Sequence, residues 1–397
     1  MGNRARKTSR HALSTRAVHG VETDGESGQP VVPSIVQSST FFFGGYPEEK
    51  GDILYTRYGN NPNQVAVARK VAAMEGMEAA LALGSGMAAT AMSLLALLRN
   101  GDHVVASRFL YGATKRLLEE ELPKRGIETT LVDPQSGREW RQGIRSTTRV
   151  LFLELPVNPT LRLFDPRPMA SLAKEQGISL VVDATFASPV NLRPAELGAD
   201  VVIHSATKYL GGHSDLIAGV VSGSLGFIEE VRDMLRLYGP ALDPHAAWLL
   251  ERGLRTLGAR MEVHNRNALA LAEWLERQEG VESVVYPGLE SHPEHKLAEE
   301  ILDGFGGMLG VQVQGGDAAA DAFCRALTLA MVAPSLGGVE TLVSQPRYTS
   351  HRGLTIAELK AVGIPPGYVR VSVGIEDCDD LKADFAHALQ AARGISA

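Results

Sequence analysis

The sequence predicts an α/β fold, in which a large domain with a mostly parallel, doubly wound sheet precedes a smaller α+β domain at the C-terminus. A chain of 397 residues, 44% of them hydrophobic, is long enough for a large core and for more than one structural unit. Short apolar segments alternate with helical ones, and this alternation is typical of βαβ units. The predicted strands of the large domain are 101–106, 127–132, 150–153, 178–182 and 201–203. The predicted helices are 64–77, 115–125, 169–176, 246–257 and 260–279.

These elements predict three parts of the chain: an N-terminal arm at 1–60, a large domain at 61–258 and a small domain at 259–397. Residues 1–52 are rich in Gly, Pro, Ser and Thr. We therefore expect an arm with little regular structure of its own that lies against another surface.

Composition argues against several classes of function. The formal net charge of -7 is unlike that of a nucleic-acid-binding protein. No apolar run approaches the ~20 residues that a membrane helix needs, and the N-terminus lacks the apolar core of a signal peptide. The two cysteines, Cys324 and Cys378, have neither the spacing of a zinc site nor the density of a disulfide-rich domain. We expect a cytoplasmic protein that binds no nucleic acid, no membrane and no metal.

The segment after the strand predicted at 201–203 carries the most informative chemistry. It brings Ser205, Thr207 and Lys208 into a turn closed by two glycines. A lysine that forms a Schiff base with a carbonyl cofactor needs a partly desolvated, unprotonated amine, and hydroxyl groups beside it suit a cofactor phosphate. Pyridoxal phosphate meets both conditions. The alternative from these residues alone is an ordinary solvated lysine after a strand.

A carboxylate follows the strand predicted at 178–182. Asp183 stands at the carboxyl end of this strand, where open α/β sheets bind their ligands. Enzymes that use pyridoxal phosphate place such an acid beside the pyridine nitrogen and keep that nitrogen protonated. We therefore predict that Asp183 is the partner of the ring nitrogen.

Asp183 and the turn from Ser205 to Lys208 together resemble the Cys/Met metabolism (trans-sulfuration) family of pyridoxal phosphate enzymes. Further motifs extend the resemblance from about Thr15 to the end of the chain. The family includes cystathionine γ-synthase, cystathionine γ- and β-lyases, methionine γ-lyase and the O-acylhomoserine sulfhydrylases. The resemblance implies the pyridoxal phosphate-dependent transferase fold of type I and Lys208 as the catalytic residue that binds the cofactor. It also implies a homotetramer built from dimers with shared active sites.

A glycine turn at Ser85, Gly86 and Met87 opens a predicted helix. Free backbone N–H groups and the helix dipole make such a turn a potential binding site for an anion. Taken alone, it fits any tight strand-to-helix turn. The resemblance to the family's Ser-Gly-Met turn implies that these three residues hold the cofactor phosphate, together with Ser205 and Thr207.

Tyr55 and Arg57 lie in a turn that by itself predicts only a polar surface loop. The resemblance implies that both residues reach into the site of the neighbouring subunit and hold the cofactor phosphate there. This chain departs from the family pattern nearby, with an additional Asn61 and with Asn63 where Thr is common.

Three residues in the middle of the chain take their predicted roles from the resemblance. Tyr111 stacks on the cofactor ring and takes part in catalysis, Asn158 contacts the cofactor's phenolate oxygen and the substrate, and Arg116 binds a distal carboxylate of the substrate. The alternatives are a tyrosine at the edge of the core for Tyr111 and a turn-forming Asn-Pro for Asn158. Ala184 stands where the family usually has Asn, which leaves Asp183 in place.

The C-terminal part holds the predicted substrate-binding residues. Arg370 stands on an alternating strand, and its forked donor suits the α-carboxylate of an amino acid. An arginine on a strand is otherwise a solvated residue. Ser335 and Leu336 belong to a loop that resembles the family's loop over this carboxylate.

These residues favour γ-replacement, in which an activated homoserine ester reacts with cysteine or another thiol, as in cystathionine γ-synthase or an O-acylhomoserine sulfhydrylase. Three features favour it: Arg116, Ala113 where methionine γ-lyases often carry cysteine, and Pro334 before Ser335, as in plant-type synthases. Leu54 replaces an acidic residue that often contacts a second amino acid in this family. The alternatives are a cystathionine or methionine γ-lyase, a cystathionine β-lyase, and a pyridoxal phosphate-binding protein without activity.

Overall fold

The structure, a computed structural model, describes residues 11–20, 30–42 and 53–396. Its strands are β1 Ala79–Leu83, β2 His103–Ser107, β3 Glu128–Val132, β4 Thr148–Glu154, β5 Ser179–Asp183, β6 Val201–His204, β7 Gly219–Gly223, β8 Val281–Val285, β9 Met308–Val313, β10 Met331–Val332, β11 Leu342–Ser344 and β12 Tyr368–Ser372. Its α-helices are α1 Leu13–His19, α2 Pro62–Glu75, α3 Gly86–Leu97, α4 Gly112–Arg116, α5 Gly137–Gly143, α6 Arg167–Gln176, α7 Ser188–Asn191, α8 Leu225–Tyr238, α9 Pro244–Arg255, α10 Leu257–Leu275, α11 His295–Ile301, α12 Gly316–Ala326, α13 Ile356–Ala361 and α14 Cys378–Ser396.

The first sheet has seven strands in the order β1-β7-β6-β5-β4-β2-β3. The strands from β6 to β3 in this order pair in parallel, whereas β7 runs antiparallel to both of its neighbours. One face packs against α3 and α8, and the other packs against α2 and α6, so the central strands are buried on both sides. The predicted mostly parallel, doubly wound sheet is confirmed.

The second sheet has five strands in the order β10-β11-β12-β9-β8, of which β10 and β11 pair in parallel and the others are antiparallel. Apolar residues of α10, α12 and α14 form one core with β9 and β12. This part of the chain therefore has the α+β character that the sequence predicts. The division into domains at 61–258 and 259–397 stays a prediction.

The N-terminal arm packs against α2 through two asparagines. Asn61 caps the helix, because its side chain accepts a hydrogen bond from the N–H of Asn63 at 2.9 Å, and Gln64 completes a capping box. The side-chain amides of Asn61 and Asn63 donate to the backbone oxygens of Val36 at 2.8 Å and Ser34 at 2.9 Å. The two residues that depart from the family pattern thus start α2 and hold the arm against it.

Two predictions of local structure are wrong. The helix predicted at 115–125 is broken into α4, a π-helical turn at Leu117–Glu121 and a 3-10 turn at Pro123–Arg125, since Pro123 lacks the N–H that would continue α-helical hydrogen bonding. The arm contains α1 although its composition predicts little regular structure. Within the described ranges, no helix has both the length and the apolar character needed to cross a membrane.

Candidate active site

A cavity of about 690 Å³ lies at the carboxyl ends of β4, β5 and β6. Loops after parallel strands deliver polar side chains to one edge of a sheet, which is why residues far apart in sequence meet here. Twelve of the predicted site residues line the cavity: Ser85, Gly86, Met87, Tyr111, Asn158, Asp183, Ser205, Thr207, Lys208, Ser335, Leu336 and Arg370.

Lys208 lies in the turn that follows β6. Gly212 ends this turn with φ 73°, a conformation that favours glycine, and its N–H donates to the backbone oxygen of Lys208 at 2.8 Å. The Nζ of Lys208 donates to the Oγ of Ser335 at 2.8 Å. Burial, and secondly the positive charge of Arg370, lower the pKa of Lys208 from 10.5 to about 8. An unprotonated amine is therefore accessible near neutral pH.

Asp183 is held by a threonine two residues later. The Oγ1 and the N–H of Thr185 donate to Oδ1 of Asp183 at 2.5 and 3.0 Å, and the same Oγ1 accepts from the N–H of Ser205 at 2.8 Å. Burial raises the pKa of Asp183, and the two hydrogen bonds from Thr185 oppose that change by stabilising the carboxylate. Thr185 thus connects the carboxylate at the end of β5 to the turn after β6.

The turn that the sequence predicts as an anion-binding site lies at the N-terminus of α3 and lines the main cavity. Ser85 caps this helix of 12 residues by accepting from the N–H of Ala88 at 3.0 Å. Gly86 approaches Ser205 so closely that a Cβ at this position would lie 2.7 Å from the Cβ of Ser205. The helix end, Ser205 and Thr207 consequently line the same cavity.

Arg370 lies on β12, whose five residues are all buried. Its guanidinium donates to Oδ1 of Asn158 at 3.1 Å and to the backbone oxygen of Ser335 at 2.8 Å. Burial lowers the pKa of Arg370 to about 10. Among the described residues, nothing accepts a hydrogen bond from its buried Nε. Arg370 is thus a buried residue that lines the cavity, in contrast to the solvated strand arginine of the alternative, and its forked donors suit a carboxylate.

Tyr111 and Asn158 meet at a carboxylate that the sequence analysis missed. Oε2 of Glu154 accepts from the N–H of Tyr111 at 2.6 Å, and Oε1 accepts from the N–H of Asn158 at 2.9 Å. Burial, followed by the negative charge of Asp183, raises the pKa of Glu154 to about 8. Glu154 and Thr185 stand at or beside strand ends, which is the same sequence signal that predicts Asp183.

Three predicted site residues lie outside this cavity. Arg116 lines a second cavity of about 480 Å³, which adjoins the first at Tyr111 and Asn158, and it forms an exposed ion pair with Glu120 at 3.1 Å. Tyr55 and Arg57 line neither cavity of their own chain.

Both cavities are also bordered by Thr349 and Ser350 from a loop of the C-terminal part. Neither residue is among those predicted from the sequence. No motif in the sequence marks that loop, because its position follows from tertiary packing.

The residues of the main cavity fit pyridoxal phosphate. An amine with a lowered pKa suits the aldehyde, a buried carboxylate suits the pyridine nitrogen, and a helix N-terminus with two hydroxyls suits the phosphate. The groups that the cofactor needs therefore line a single cavity.

Comparison with known proteins agrees with this chemistry. Residues 14–390 match the model of the family described as Cys/Met metabolism PLP-dependent enzyme. The L-methionine gamma-lyase of Porphyromonas gingivalis is 41% identical over 96% of this chain and 97% of its own length. The chloroplastic cystathionine gamma-synthase 1 of Nicotiana tabacum is 39% identical over 94% of this chain and 70% of its own length. The crystal structure of metB from Corynebacterium glutamicum matches with a TM-score of 0.90 and 38% identity, over 96% of this chain and 99% of that one. The chain therefore belongs to the Cys/Met metabolism family of PLP-dependent enzymes, and its cofactor is pyridoxal 5'-phosphate.

Proposed function

We propose that this enzyme of sulfur amino-acid metabolism catalyses γ-replacement, in which an activated homoserine ester reacts with cysteine or another thiol. The observation that carries the proposal is the second cavity, which opens beside Tyr111 and Asn158. The charged residues that line it are Arg108, Lys115, Arg116, Arg352 and Glu119. Arg108 and Arg116 also form exposed ion pairs with Glu139 and Glu120, whereas Lys115 and Arg352 form none among the described residues. Such a lining favours a substrate or product with an anionic group beyond the reacting carbon, such as cystathionine or an acidic ester.

In this proposal the guanidinium of Arg370, which lines the main cavity, binds the α-carboxylate of the amino acid. The chemistry that pyridoxal phosphate supplies when bound is the withdrawal of electrons from the α-carbon of that amino acid. Asp183 holds a negative charge beside the ring nitrogen. The amine of Lys208 removes the proton from the α-carbon and then moves a proton at the β-carbon, while Tyr111 assists the leaving group.

The alternative is elimination by the same residues, as in a cystathionine or methionine γ-lyase or a cystathionine β-lyase. The relative from Porphyromonas gingivalis carries the name of a methionine γ-lyase, which supports this alternative. Methionine has no second charged group, so the cationic lining of the second cavity speaks against methionine as the substrate. The presence of Lys208, Tyr111 and Arg370 at one cavity speaks against a binding protein without activity.

We also propose that the protein is a cytoplasmic homotetramer built from dimers with shared active sites. Tyr55 and Arg57 support sharing, because both lie away from the cavities of their own chain.

The experiment that tests the function begins with L-cystathionine as the sole substrate of the cofactor-loaded protein, with products identified by mass spectrometry. We expect cystathionine to persist and to form when cysteine is supplied with the O-succinyl, O-acetyl or O-phospho ester of homoserine. Lys208→Ala serves as the inactive control. Release of cysteine with 2-oxobutanoate would instead make the protein a γ-lyase, and release of homocysteine with pyruvate would make it a β-lyase.

A further inference from the structure

Glu154 is a buried carboxylate that the proposed reaction does not use. It ends β4, is 5% exposed and lines the main cavity. Among the described residues it forms no ion pair with a cation. Its two oxygens instead accept from two backbone N–H groups, of Tyr111 at 2.6 Å and of Asn158 at 2.9 Å. A buried carboxyl group without a cationic partner is stabilised by its hydrogen bonds, and these two bonds hold Glu154 in one place.

The two N–H groups belong to different loops. Tyr111 lies in the loop after β2, and Asn158 lies in the loop after β4, which is the neighbour of β2 in the sheet. Both residues line the main cavity. A carboxylate can accept from both loops at once, whereas the amide of glutamine has only one accepting oxygen.

We propose that Glu154 is a positioning residue whose carboxylate fixes the loop of Tyr111 relative to the loop of Asn158, and thereby the ring and the amide that meet cofactor and substrate. This inference rests on the proposed cofactor contacts of Tyr111 and Asn158. It does not depend on whether the enzyme catalyses replacement or elimination.

Two variants separate a positioning role from a role of charge alone. Glu154→Gln keeps the reach of the side chain and loses one acceptor, whereas Glu154→Asp keeps the charge and is shorter by about 1.5 Å, one carbon–carbon bond. Loss of one buried hydrogen bond corresponds to roughly a tenfold weakening. We therefore expect the dissociation constant of pyridoxal phosphate to rise about tenfold in Glu154→Gln and further in Glu154→Asp. The visible circular dichroism of the bound cofactor, which reports its orientation, should weaken in the same order.

The matched control is Glu251→Gln, which removes a carboxylate that is 3% exposed, pairs with Lys70 at 2.7 Å and lines neither cavity. It should lower stability and leave the cofactor signal unchanged. Wild-type dissociation constants and circular dichroism in both Glu154 variants would overturn the inference. The inference would also be overturned if Glu154→Asp bound the cofactor normally while Glu154→Gln did not, because a carboxyl group of any length would then suffice.

A measurement on the unaltered, cofactor-loaded protein covers the case in which the variants do not fold. The hydrogen bonds to Glu154 predict that the backbone amides of Tyr111 and Asn158 exchange slowly with deuterium, although both lie in loops. Fast exchange at both amides would overturn the inference. These measurements use no amino-acid substrate, so a failure of the proposed reaction would leave their outcome unaffected.

Discussion

The Nζ of Lys208 and the Oγ of Ser335 are 2.8 Å apart, and this hydrogen bond joins the turn after β6 to the loop between β10 and β11. Ser335 has φ 86°, a conformation that non-glycine residues rarely adopt, and its backbone oxygen accepts from Arg370 at 2.8 Å. One strained residue therefore contacts both the proposed catalytic amine and the proposed carboxylate-binding guanidinium. Strain that persists at such a position indicates a functional constraint.

Substitutions of Ser335 should separate the hydrogen bond from the strain. Ser335→Ala removes the bond to Lys208 and keeps the strain, so we expect the cofactor-free protein to lose about 1 kcal/mol of unfolding free energy. Ser335→Gly also removes the bond, but glycine adopts this φ without strain, which contributes about 1 kcal/mol of unfolding free energy. That gain offsets the loss that results from the greater conformational freedom of glycine in the unfolded chain. Urea unfolding should thus find the glycine variant at least as stable as the alanine variant. A glycine variant clearly less stable than the alanine variant would contradict this account.

Lys208→Ala should abolish the visible absorbance of the bound cofactor together with turnover, since no other lysine lines the main cavity described here. The control is Lys174→Ala, which alters an exposed lysine on α6 and should keep the colour. Absorbance spectra of the purified proteins decide the matter. Retention of both colour and turnover in Lys208→Ala would contradict the assignment of Lys208 as the lysine that binds the cofactor.

The pKa of Lys208 predicts how cofactor uptake depends on pH. Only the unprotonated amine reacts with an aldehyde, and burial together with Arg370 lowers the pKa of this amine to about 8. The rate of pyridoxal phosphate capture by cofactor-free protein should therefore rise with pH and reach its midpoint near 8, well below the ordinary lysine value of 10.5. Arg370→Gln removes the neighbouring positive charge, so its midpoint should lie at higher pH. Stopped-flow absorbance across pH 6 to ~10.5 measures both, and a midpoint unmoved by Arg370→Gln would contradict the electrostatic explanation.

The parts of the site that sequence could predict depend on short-range rules. Asp183 ends β5, Lys208 follows β6, and Gly86 opens α3, so each position follows from one strand end and its loop. The same rule applies to Glu154, which the analysis overlooked because no glycine or hydroxyl cluster marks it.

The other parts depend on tertiary packing. The bond between Lys208 and Ser335 spans 127 residues, and Thr349 reaches the cavities from a loop without a motif. No local pattern encodes how the C-terminal part packs on the first sheet. The incorrect prediction of one helix at 115–125 has a local cause. Pro123 interrupts α-helical hydrogen bonding, although the spacing of apolar residues around it is helical.

Arg116→Gln should test the second cavity as a binding site for a distal anion. We expect kcat/KM for the homoserine ester and cysteine to fall about tenfold, the magnitude of one lost hydrogen bond to a charged group. The visible absorbance of the cofactor should not change, because Arg116 does not line the main cavity. Arg125→Gln, in the exposed turn before β3, is the control and should leave kcat/KM unchanged. Equal kinetics in the two variants would argue against the anion site.

Arg57 is held away from its own cavity by aromatic neighbours. Its guanidinium lies 5.5 Å from the ring centroid of Tyr55 and 5.1 Å from that of Tyr58, and it donates to the backbone oxygen of Arg236. Arg57→Ala should therefore weaken cofactor retention only if Arg57 reaches the site of a neighbouring subunit, where a guanidinium would bind the phosphate.

Mixed oligomers decide whether that site is shared. Arg57→Ala and Lys208→Ala are each expected to be inactive or nearly so when pure. If each site takes Lys208 from one subunit and Arg57 from the other, a mixed dimer has one intact site and one site that lacks both residues. Random mixing makes about half of the dimers mixed. The mixture should therefore regain about a quarter of wild-type activity. Subunits are dissociated, mixed in equal amounts and reassembled before the assay, and each variant mixed with itself is the control. Activity no higher in the mixture than in these controls would show that each chain completes its own site.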